Sequence, residues 1–348
     1  MIIFCDNIAP ALSSYLSSNR YDRIFVLTDT NTRVKCFPLL EAAFSGYDFV
    51  PVTIRAGDVH KDIHQVTAIW NRLSEGGASR RSLLINAGGG MVTDLGGFAG
   101  ATFKRGLHTL NIPTTLMAMV DAAAGGKTGI NFNGLKNEIG SFYLPDCVMI
   151  DCTFLKTLDR DNLLSGYAEM LKHGLLSDKP SFYDMLGFDV EHPDLERLNN
   201  LVRVSVKIKE RFVEEDPKET GIRKALNLGH TVGHALESLS FAGNHPLLHG
   251  HAVAAGLICE LYLSFRTCNL PVDLLRQVTN FVKAHYPPVV FKCDDYDTIC
   301  ELMKHDKKNE GGRINFTLTG DIGDIRINQE VSKELVLDSL DFYRENLS

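Results

Sequence analysis

The stretch LNLGHTVGHALES sets His230 and His234 four residues apart. On a helix that spacing puts two imidazoles on one face, within reach of a single metal ion. LLHGHAVAAGL adds His249 and His251, and SGYAEMLKHG adds Glu169 with Lys172 and His173. One carboxylate with two imidazoles leaves coordination positions open, the arrangement of a catalytic rather than a structural zinc site. Spacing alone does not decide which three side chains converge. Two ordinary polar-face histidines remain the competing reading of the pair.

A second cluster is built of glycine. INAGGGMVTDLGGFAG follows a strand-like run and opens a helical one. Consecutive glycines let backbone amides approach a pyrophosphate, and the helix N-terminus adds a favourable dipole. The stretch is not G-x-G-x-x-G, because Thr93 stands where that fingerprint has its last glycine. A tight strand-to-helix turn with no ligand competes with the nucleotide reading. Asp94 either favours the helix start or accepts a hydrogen bond from a nicotinamide or ribose. VDAAAGGKTG ends like a P-loop, but the first glycine of that motif would fall at position 121, which is Asp121. A carboxylate is the wrong charge beside phosphate, so Lys127 and Asp121 need another role.

The cations form the third signal. Arg105 lies in TFKRG, Lys127 in GGKTG, Lys136 beside Asn137 in GLKNEIG, and Lys172 in AEMLKHG. Lys209 and Arg223 flank EEDPKETGIR, and Lys307 and Lys308 lie in KHDKKNE. Several sit in glycine-rich or apolar surroundings, which is unusual for a merely solvated lysine. Surface charge fits Lys307 and Lys308 best and Lys127 least. Each charged hydrogen bond to a phosphate or carboxylate contributes roughly 1.5–3 kcal/mol. The formal net charge is −7, which argues against nucleic acid or an anionic membrane as a general partner. A small anion would need these cations gathered locally.

The elements that must position these groups change character along the chain. With 348 residues, two domains are expected. Runs at 23–29, 48–54, 82–88, 107–113 and 147–151 read as strands buried on both faces. HQVTAIWNRL and LGGFAGATF between them have helical spacing. The alternation implies an open, mainly parallel α/β sheet, with ligands beyond the carboxyl ends of its strands. Past about residue 157, LLSGYAEMLKHGLL, LERLNNLVRVSVKIKERFVEED, KALNLGHTVGHALESL and HAVAAGLICELYLSFRTCNL read as long helices, with one strand-like segment at 313–319. The expected organisation is an α/β domain over 1–157 and a mainly helical domain over 158–348, with a hinge near 152–158 and the site in the cleft between them. No apolar run of about 18 residues predicts a transmembrane helix, and the N-terminus does not read as a signal peptide. The eight scattered cysteines form no C-x-x-C pair and read as thiols in a reducing cytoplasm.

From about residue 23 to 320, the chain resembles the 3-dehydroquinate synthases, within the sugar-phosphate cyclases. The motifs GGGMVTDLGGFAGATFKRG, IPTTLMAMVDAAAGGKTGINFNGLKNEIGSF, SGYAEMLKHGL, DPKETGIRKALNLGHTVGHALE and HGHAVAAG carry the likeness, in family order. The resemblance implies a dehydroquinate synthase-like fold and a cytoplasmic, NAD- and zinc-dependent homodimer, with cobalt as a substitute ion. The implied reaction converts 3-deoxy-D-arabino-heptulosonate 7-phosphate to 3-dehydroquinate and phosphate. It proceeds by transient oxidation with NAD, phosphate elimination, re-reduction, ring opening and intramolecular aldol closure, in the pathway to chorismate and the aromatic amino acids.

Carried over by motif, the zinc ligands are Glu169, His230 and His249, which turns His234 toward the substrate. Asp29, Asn31, Asp58 and Lys61 match the adenosine side of the NAD site. Gly89, Gly90, Asp94, Thr114, Thr115 and Asp121 complete that pocket, with Lys136 and Thr157 nearby. Lys127, Asn137 and Lys172 hold the phosphate, with Arg105 reaching in from the neighbouring subunit. Lys209, Arg223 and Asn227 take the carboxylate end, and Lys307 or Lys308 reaches the substrate. Three positions depart from the family pattern: His251 replaces the usual Glu in HGEAV, Asp58 a commoner Glu, and Ala122 a Ser. The rival readings are a cyclase acting on a substrate without a carboxylate (such as a 2-deoxy-scyllo-inosose synthase), a polyol dehydrogenase of the glycerol dehydrogenase type, and a non-catalytic NAD-binding protein. Lys209 with Arg223 argues against the first, and the number of lysines against the second.

Overall fold

Apolar runs without alternation become strands here because both faces of their sheet are covered. The computed structural model describes residues 1–133, 135–242, 246–304 and 314–347. The chain divides into two compact units, Met1–Asp159 and Arg160–Ser348.

The first unit contains β1 (Ile2–Phe4), β2 (Ile24–Asp29), β3 (Phe49–Ile54), β4 (Leu83–Gly88), β5 (His108–Pro113), β6 (Lys127–Phe132), β7 (Leu135–Phe142) and β8 (Cys147–Ile150). Six of these form a parallel sheet in the order β1-β8-β5-β4-β2-β3, and β6 pairs antiparallel with β7. Every residue of β2 and of β4 is buried. The helices are α1 (Ile8–Ser18), α2 (Thr30–Lys35), α3 (Phe37–Leu40), α4 (Ile63–Glu75) and α5 (Gly90–Thr102). Asp62 caps α4, which turns Val66, Ile69 and Leu73 onto a core with Phe25, Leu27, Leu84 and Leu95. α5 lies so close to the sheet that a Cβ at Gly96 would fall 1.9 Å from Asn86 Oδ1. That buried asparagine donates to Asn111 Oδ1 at 2.9 Å, and Asn111 donates to the Ala123 carbonyl at 3.1 Å. β4, β5 and the turn after Asp121 are thereby tied together.

The second unit is mainly helical: α6 (Arg160–Leu175), α7 (Lys179–Leu186), α8 (Leu195–Glu215), α9 (His230–Ala242), α10 (His249–Cys268), α11 (Val272–His285), α12 (Tyr296–Lys304) and α13 (Lys333–Leu347). A short antiparallel pair, β9 (Phe316–Thr319) and β10 (Ile325–Gln329), joins them. α10 is buried almost throughout and packs on α6, α9, α11 and α13. Glycine sets how closely. A Cβ at Gly256 would lie 2.0 Å from the Gly229 carbonyl oxygen, and one at Gly250 only 1.8 Å from that of Ser165.

The sheet has one strand more than the sequence pattern implied, because Ile2–Phe4 is too short to show a period yet pairs with β8. The β6–β7 hairpin was also missed, although Asn133-Gly134 between two alternating runs is a hairpin signal. The expected helix over 224–239 is broken. A 3₁₀ turn spans Ile222–Asn227, Gly229 adopts φ +79°, and α9 starts afresh at His230. The break puts His230 and His234 in the first turns of their helix.

Replacing Gly256 with Ala forces backbone to shift on α9, since the nearest obstacles are the Gly229 carbonyl and the Gly233 amide. Gly256→Ala is expected to cost about 1–3 kcal/mol, the usual cost of overpacking. Urea unfolding checks this, and an unchanged midpoint would mean that α9 can move off α10 freely.

Candidate active site

In the second unit, three helices bring one carboxylate and three imidazoles together. Glu169 lies mid-way along α6 and is fully buried. Its Oε1 is 3.3 Å from His230 Nε2 and 3.4 Å from His249 Nε2. His234 joins them, its ring centroid 5.2 Å from that of His230 and 5.7 Å from that of His249. The far nitrogens of two rings are committed: His230 Nδ1 lies 3.1 Å from the Leu228 carbonyl, and His249 Nδ1 lies 3.3 Å from Glu237 Oε2. Both rings therefore aim Nε2 at Glu169. Lys172, one turn further along α6, forms an ion pair with Glu169 Oε2.

This donor set fits a divalent ion. Ligand atoms about 2.0–2.2 Å from one tetrahedral zinc lie about 3.3–3.5 Å from each other, the separations seen here. Glu169 is faced by the Lys172 ammonium and two imidazoles, yet neither of its oxygens makes a hydrogen bond of regular geometry among the described residues, which leaves a buried carboxylate able to take a further cation. The electrostatics are strained in the same sense. Burial alone would raise the Glu169 carboxyl, but Lys172 and then His230 outweigh it and hold it well below the carboxylate range. Burial pulls His230 down to about 3, with Lys172 acting in the same direction. Burial also opposes the charge on His249, yet Glu237 and then Glu169 push it up to about 10. His230, His234 and His249 alone also place their donor atoms within 4.8 Å of one another. A dication favours the set that contains the carboxylate.

His251 stays out of the cluster. Its Nε2 lies 3.2 Å from the Asp161 carbonyl, and its ring packs edge-on against Tyr286. It is therefore no rival ligand, and burial lowers its pKa. His173 meets Ser205 Oγ at 2.8 Å. Three of the cations expected at the site, Lys172, Lys209 and Arg223, are all buried in this unit. Asp216 shapes the loop that delivers Arg223 by accepting from the amides of Thr220, Gly221 and Arg223. Arg223 donates to the Pro217 carbonyl at 2.8 Å, and Asn227 to Glu219 Oε1 at 3.1 Å.

In the first unit, the expected nucleotide residues gather where β2, β4 and β5 end. Asp29 closes β2 and caps α2, accepting from the Asn31 and Thr32 amides at 2.8 Å each. Gly89 and Gly90 open α5, and Thr114 and Thr115 follow β5. A Cβ at Gly89 would meet Thr115 at 3.0 Å and one at Gly90 would meet Ala122 at 3.2 Å, so a side chain in the turn would have to push its neighbours aside. Open parallel sheets bind ligands at such strand ends. Asp121 lies in a π-helical turn, Ala118–Ala122. Lys61, buried, donates to both Asp94 Oδ2 and Asn137 Oδ1 at 2.5 Å. Burial raises the Asp94 carboxyl, with Lys61 pulling against it. Lys136 pairs with Asp58 at 2.9 Å. Thr157 donates to the Phe154 carbonyl at 2.8 Å. Lys127 is exposed at the start of β6. Arg105 is exposed within a run of left-handed backbone, Lys104, Arg105 and Gly106. Lys307 and Lys308 lie outside the described residues.

Sequence reading missed Glu237, Glu260 and Asp216. The available signal was a carboxylate inside an apolar helical run, as in GLICELYLS, since an unpaired charge is almost never buried.

The fold and the clustered donors define a metal-binding enzyme class with a dinucleotide-type sheet. The chain has the fold of a 2-epi-5-epi-valiolone synthase from Streptomyces hygroscopicus subsp. jinggangensis, solved with NAD+ and Zn2+ bound (TM-score 0.89, 25% identity, 99% of this chain and 96% of that one). It also has the fold of a 2-deoxy-scyllo-inosose synthase solved with carbaglucose-6-phosphate, NAD+ and Co2+ (TM-score 0.88, 22% identity, 99% and 96%). Residues 51–165 match the family model of the 3-dehydroquinate synthase N-terminal part, and residues 166–309 that of the C-terminal part. The 3-dehydroquinate synthase of Parabacteroides distasonis is 60% identical over 346 residues, 99% of this chain and 98% of that one. The chain belongs to the 3-dehydroquinate synthase family.

The Lys61 contacts generate a test. Lys61→Met leaves the Asp94 carboxylate without its cation and is expected to cost about 1–3 kcal/mol or more. Adding Asp94→Asn removes the stranded charge and should recover part of the loss. Equal stability of single and double variants in urea would show that the pair is not coupled.

Proposed function

We propose that the enzyme converts 3-deoxy-D-arabino-heptulosonate 7-phosphate to 3-dehydroquinate and phosphate with NAD and zinc, cobalt serving as a substitute. The observation that carries this reading is Glu169, a buried carboxylate faced by two imidazole Nε2 atoms at 3.3 and 3.4 Å, in a chain 60% identical to a 3-dehydroquinate synthase. We assign NAD binding to the first unit and metal and substrate binding to the second. In this assignment Glu169, His230 and His249 hold the ion, and the cytoplasm is the compartment of the reaction. When bound, zinc supplies Lewis acidity at a substrate hydroxyl, and NAD supplies a hydride acceptor that is restored within the turnover.

The rest of the work belongs to the chain. Asp29, Asn31, Asp58 and Lys61 serve the adenosine side, and Gly89, Gly90, Asp94, Thr114, Thr115 and Asp121 the remainder of the dinucleotide, with Lys136 and Thr157 at its edge. The bare glycine turn offers neutral N–H groups, which suit a pyrophosphate. Lys127, Asn137 and Lys172 hold the sugar phosphate, so that the departing group itself accepts the neighbouring carbon's proton and the protein need only fix its orientation. Lys209, Arg223 and Asn227 hold the carboxylate, and His234 faces the reacting hydroxyls. Arg223 is rigidly presented because Asp216 organises its loop. A buried guanidinium of this kind favours a substrate that brings a carboxylate.

One incubation tests the reading. With the heptulosonate phosphate, NAD and zinc, phosphate release and a product of dehydroquinate mass are expected without accumulation of NADH. A chelator should abolish the turnover and added zinc restore it. Net NADH production, or turnover of glucose 6-phosphate instead, would replace this substrate assignment.

The dimer is the second proposal. Its support is the exposed Arg105, held by left-handed backbone. If Arg105 completes the phosphate grip of a second copy, inactive Arg105→Ala and inactive Lys127→Ala subunits should regain activity when mixed, because each heterodimer then contains one intact site. Verified heterodimers without activity would refute it.

A further inference from the structure

Two buried carboxylates of the second unit belong to neither the ligand set nor the anion grips. Glu237 lies on α9 and is 2% exposed, and its Oε2 is 3.3 Å from Nδ1 of His249, which lies on α10. Glu260 lies on α10 and is 0% exposed. It accepts from the backbone amides of Gly229 at 2.6 Å and Val232 at 3.1 Å, the turn that carries His230. Each helix therefore supplies the carboxylate that fixes the other helix's histidine.

The glycines explain why Glu260 is needed. A helix start leaves amides without partners, and a local Ser, Asp or Asn normally satisfies them. Here the residue before α9 is Gly229, whose φ is +79° and whose carbonyl a Cβ at Gly256 would strike at 2.0 Å. A side chain at 229 would also meet Leu257 at 2.8 Å. Close packing thus removes the local cap, and a carboxylate 31 residues further along the chain replaces it. Fixing this turn also fixes the Leu228 carbonyl that orients His230 Nδ1 at 3.1 Å. Glu237 acts more directly, since a carboxylate on Nδ1–H aims the ring and makes its Nε2 a better ligand.

We propose that Glu237 and Glu260 are positioning residues that form a reciprocal brace between α9 and α10 and thereby set the metal affinity of the cluster. This rests on the assignment of Glu169, His230 and His249 as ligands and adds the groups that hold two of them in place.

The test is cobalt and zinc binding to metal-stripped protein, read by competition with a chromophoric chelator and by the visible absorption of the cobalt form. Glu237→Ala is expected to weaken binding by about 10–100-fold and to change the cobalt spectrum. Glu237→Gln, which keeps an acceptor oxygen without the charge, should recover part of the loss. Glu260→Gln should weaken binding as well, because its amide turns a donor toward one of two backbone N–H groups. Far-ultraviolet circular dichroism of the metal-free forms separates lost folding from lost affinity, and the Glu237 pair decides the question if the Glu260 variant does not fold. Affinity and cobalt spectrum unchanged in folded Glu237→Ala would overturn the brace while leaving the ligand set intact. A parent protein that binds neither ion would overturn the ligand set and the brace with it.

Discussion

The second unit depends on the contact of α10 with α9 and α6, made backbone to backbone through Gly250 and Gly256. Cβ atoms there would overlap carbonyl oxygens at 1.8 and 2.0 Å, so no other residue allows this spacing. Because the helices touch without side chains between them, short-reaching groups on all three can meet. Glu169, His230 and His249 come from α6, α9 and α10 respectively. A wider helix separation would need longer side chains, and imidazole and carboxylate have no such slack. Packing density and metal chemistry are here one constraint, and the loss of side-chain caps at Gly229 is its local cost.

The charge distribution follows from a related necessity. The chain carries a net −7, yet Lys172, Lys209 and Arg223 are each buried in the helical unit. Buried cations persist only where partners offset their desolvation. Lys172 has Glu169, and the Arg223 guanidinium has the Pro217 carbonyl. In the other unit, Lys61 is shared between Asp94 and Asn137, which joins a residue assigned to the dinucleotide with one assigned to the phosphate. The net negative charge does not conflict with an anionic substrate, because Lys61, Lys172, Lys209 and Arg223 are buried away from the solvent that would screen them.

Much of this was legible in the sequence, and the limits have physical causes. The central strands could be read because burial on both faces leaves unbroken apolar runs, as in IFVLTD and LLINAG. Ile2–Phe4 could not, since three residues carry no period and only pairing with β8 makes them a strand. Helical spacing around His230 and His234 was real, but it ran through Gly229, and only the positive φ there reveals that the helix starts afresh. Spacing also suggested that the two neighbouring histidines share the ion. Distances in the folded chain instead favour His249, 19 positions beyond His230, together with a carboxylate from another helix. A metal site is a property of three-dimensional convergence, and local period reports only one of the helices that converge. The role of Glu260 was likewise invisible, because its partners are backbone amides and leave no trace in residue type.

In the assignment proposed above, the two units would solve recognition by opposite means, and the contrast follows from what each would hold. A dinucleotide presents a pyrophosphate between two rings, and at Gly89 and Gly90 the start of α5 carries no side chain that would keep such a group from its backbone. Such a surface can release its ligand and bind it again, because no buried charge is stranded when the ligand leaves. A small, densely charged substrate and a dication need fixed charges of both signs at close quarters, and these must be held even against each other. Hence the helical unit spends glycines on close packing and carboxylates on holding the packed elements in register. The residues proposed as ligands, Glu169, His230 and His249, account for what could bind. Glu237, against His249 Nδ1, and Glu260, on the amides of Gly229 and Val232, are the groups that the proposed brace uses to hold the histidines at that spacing.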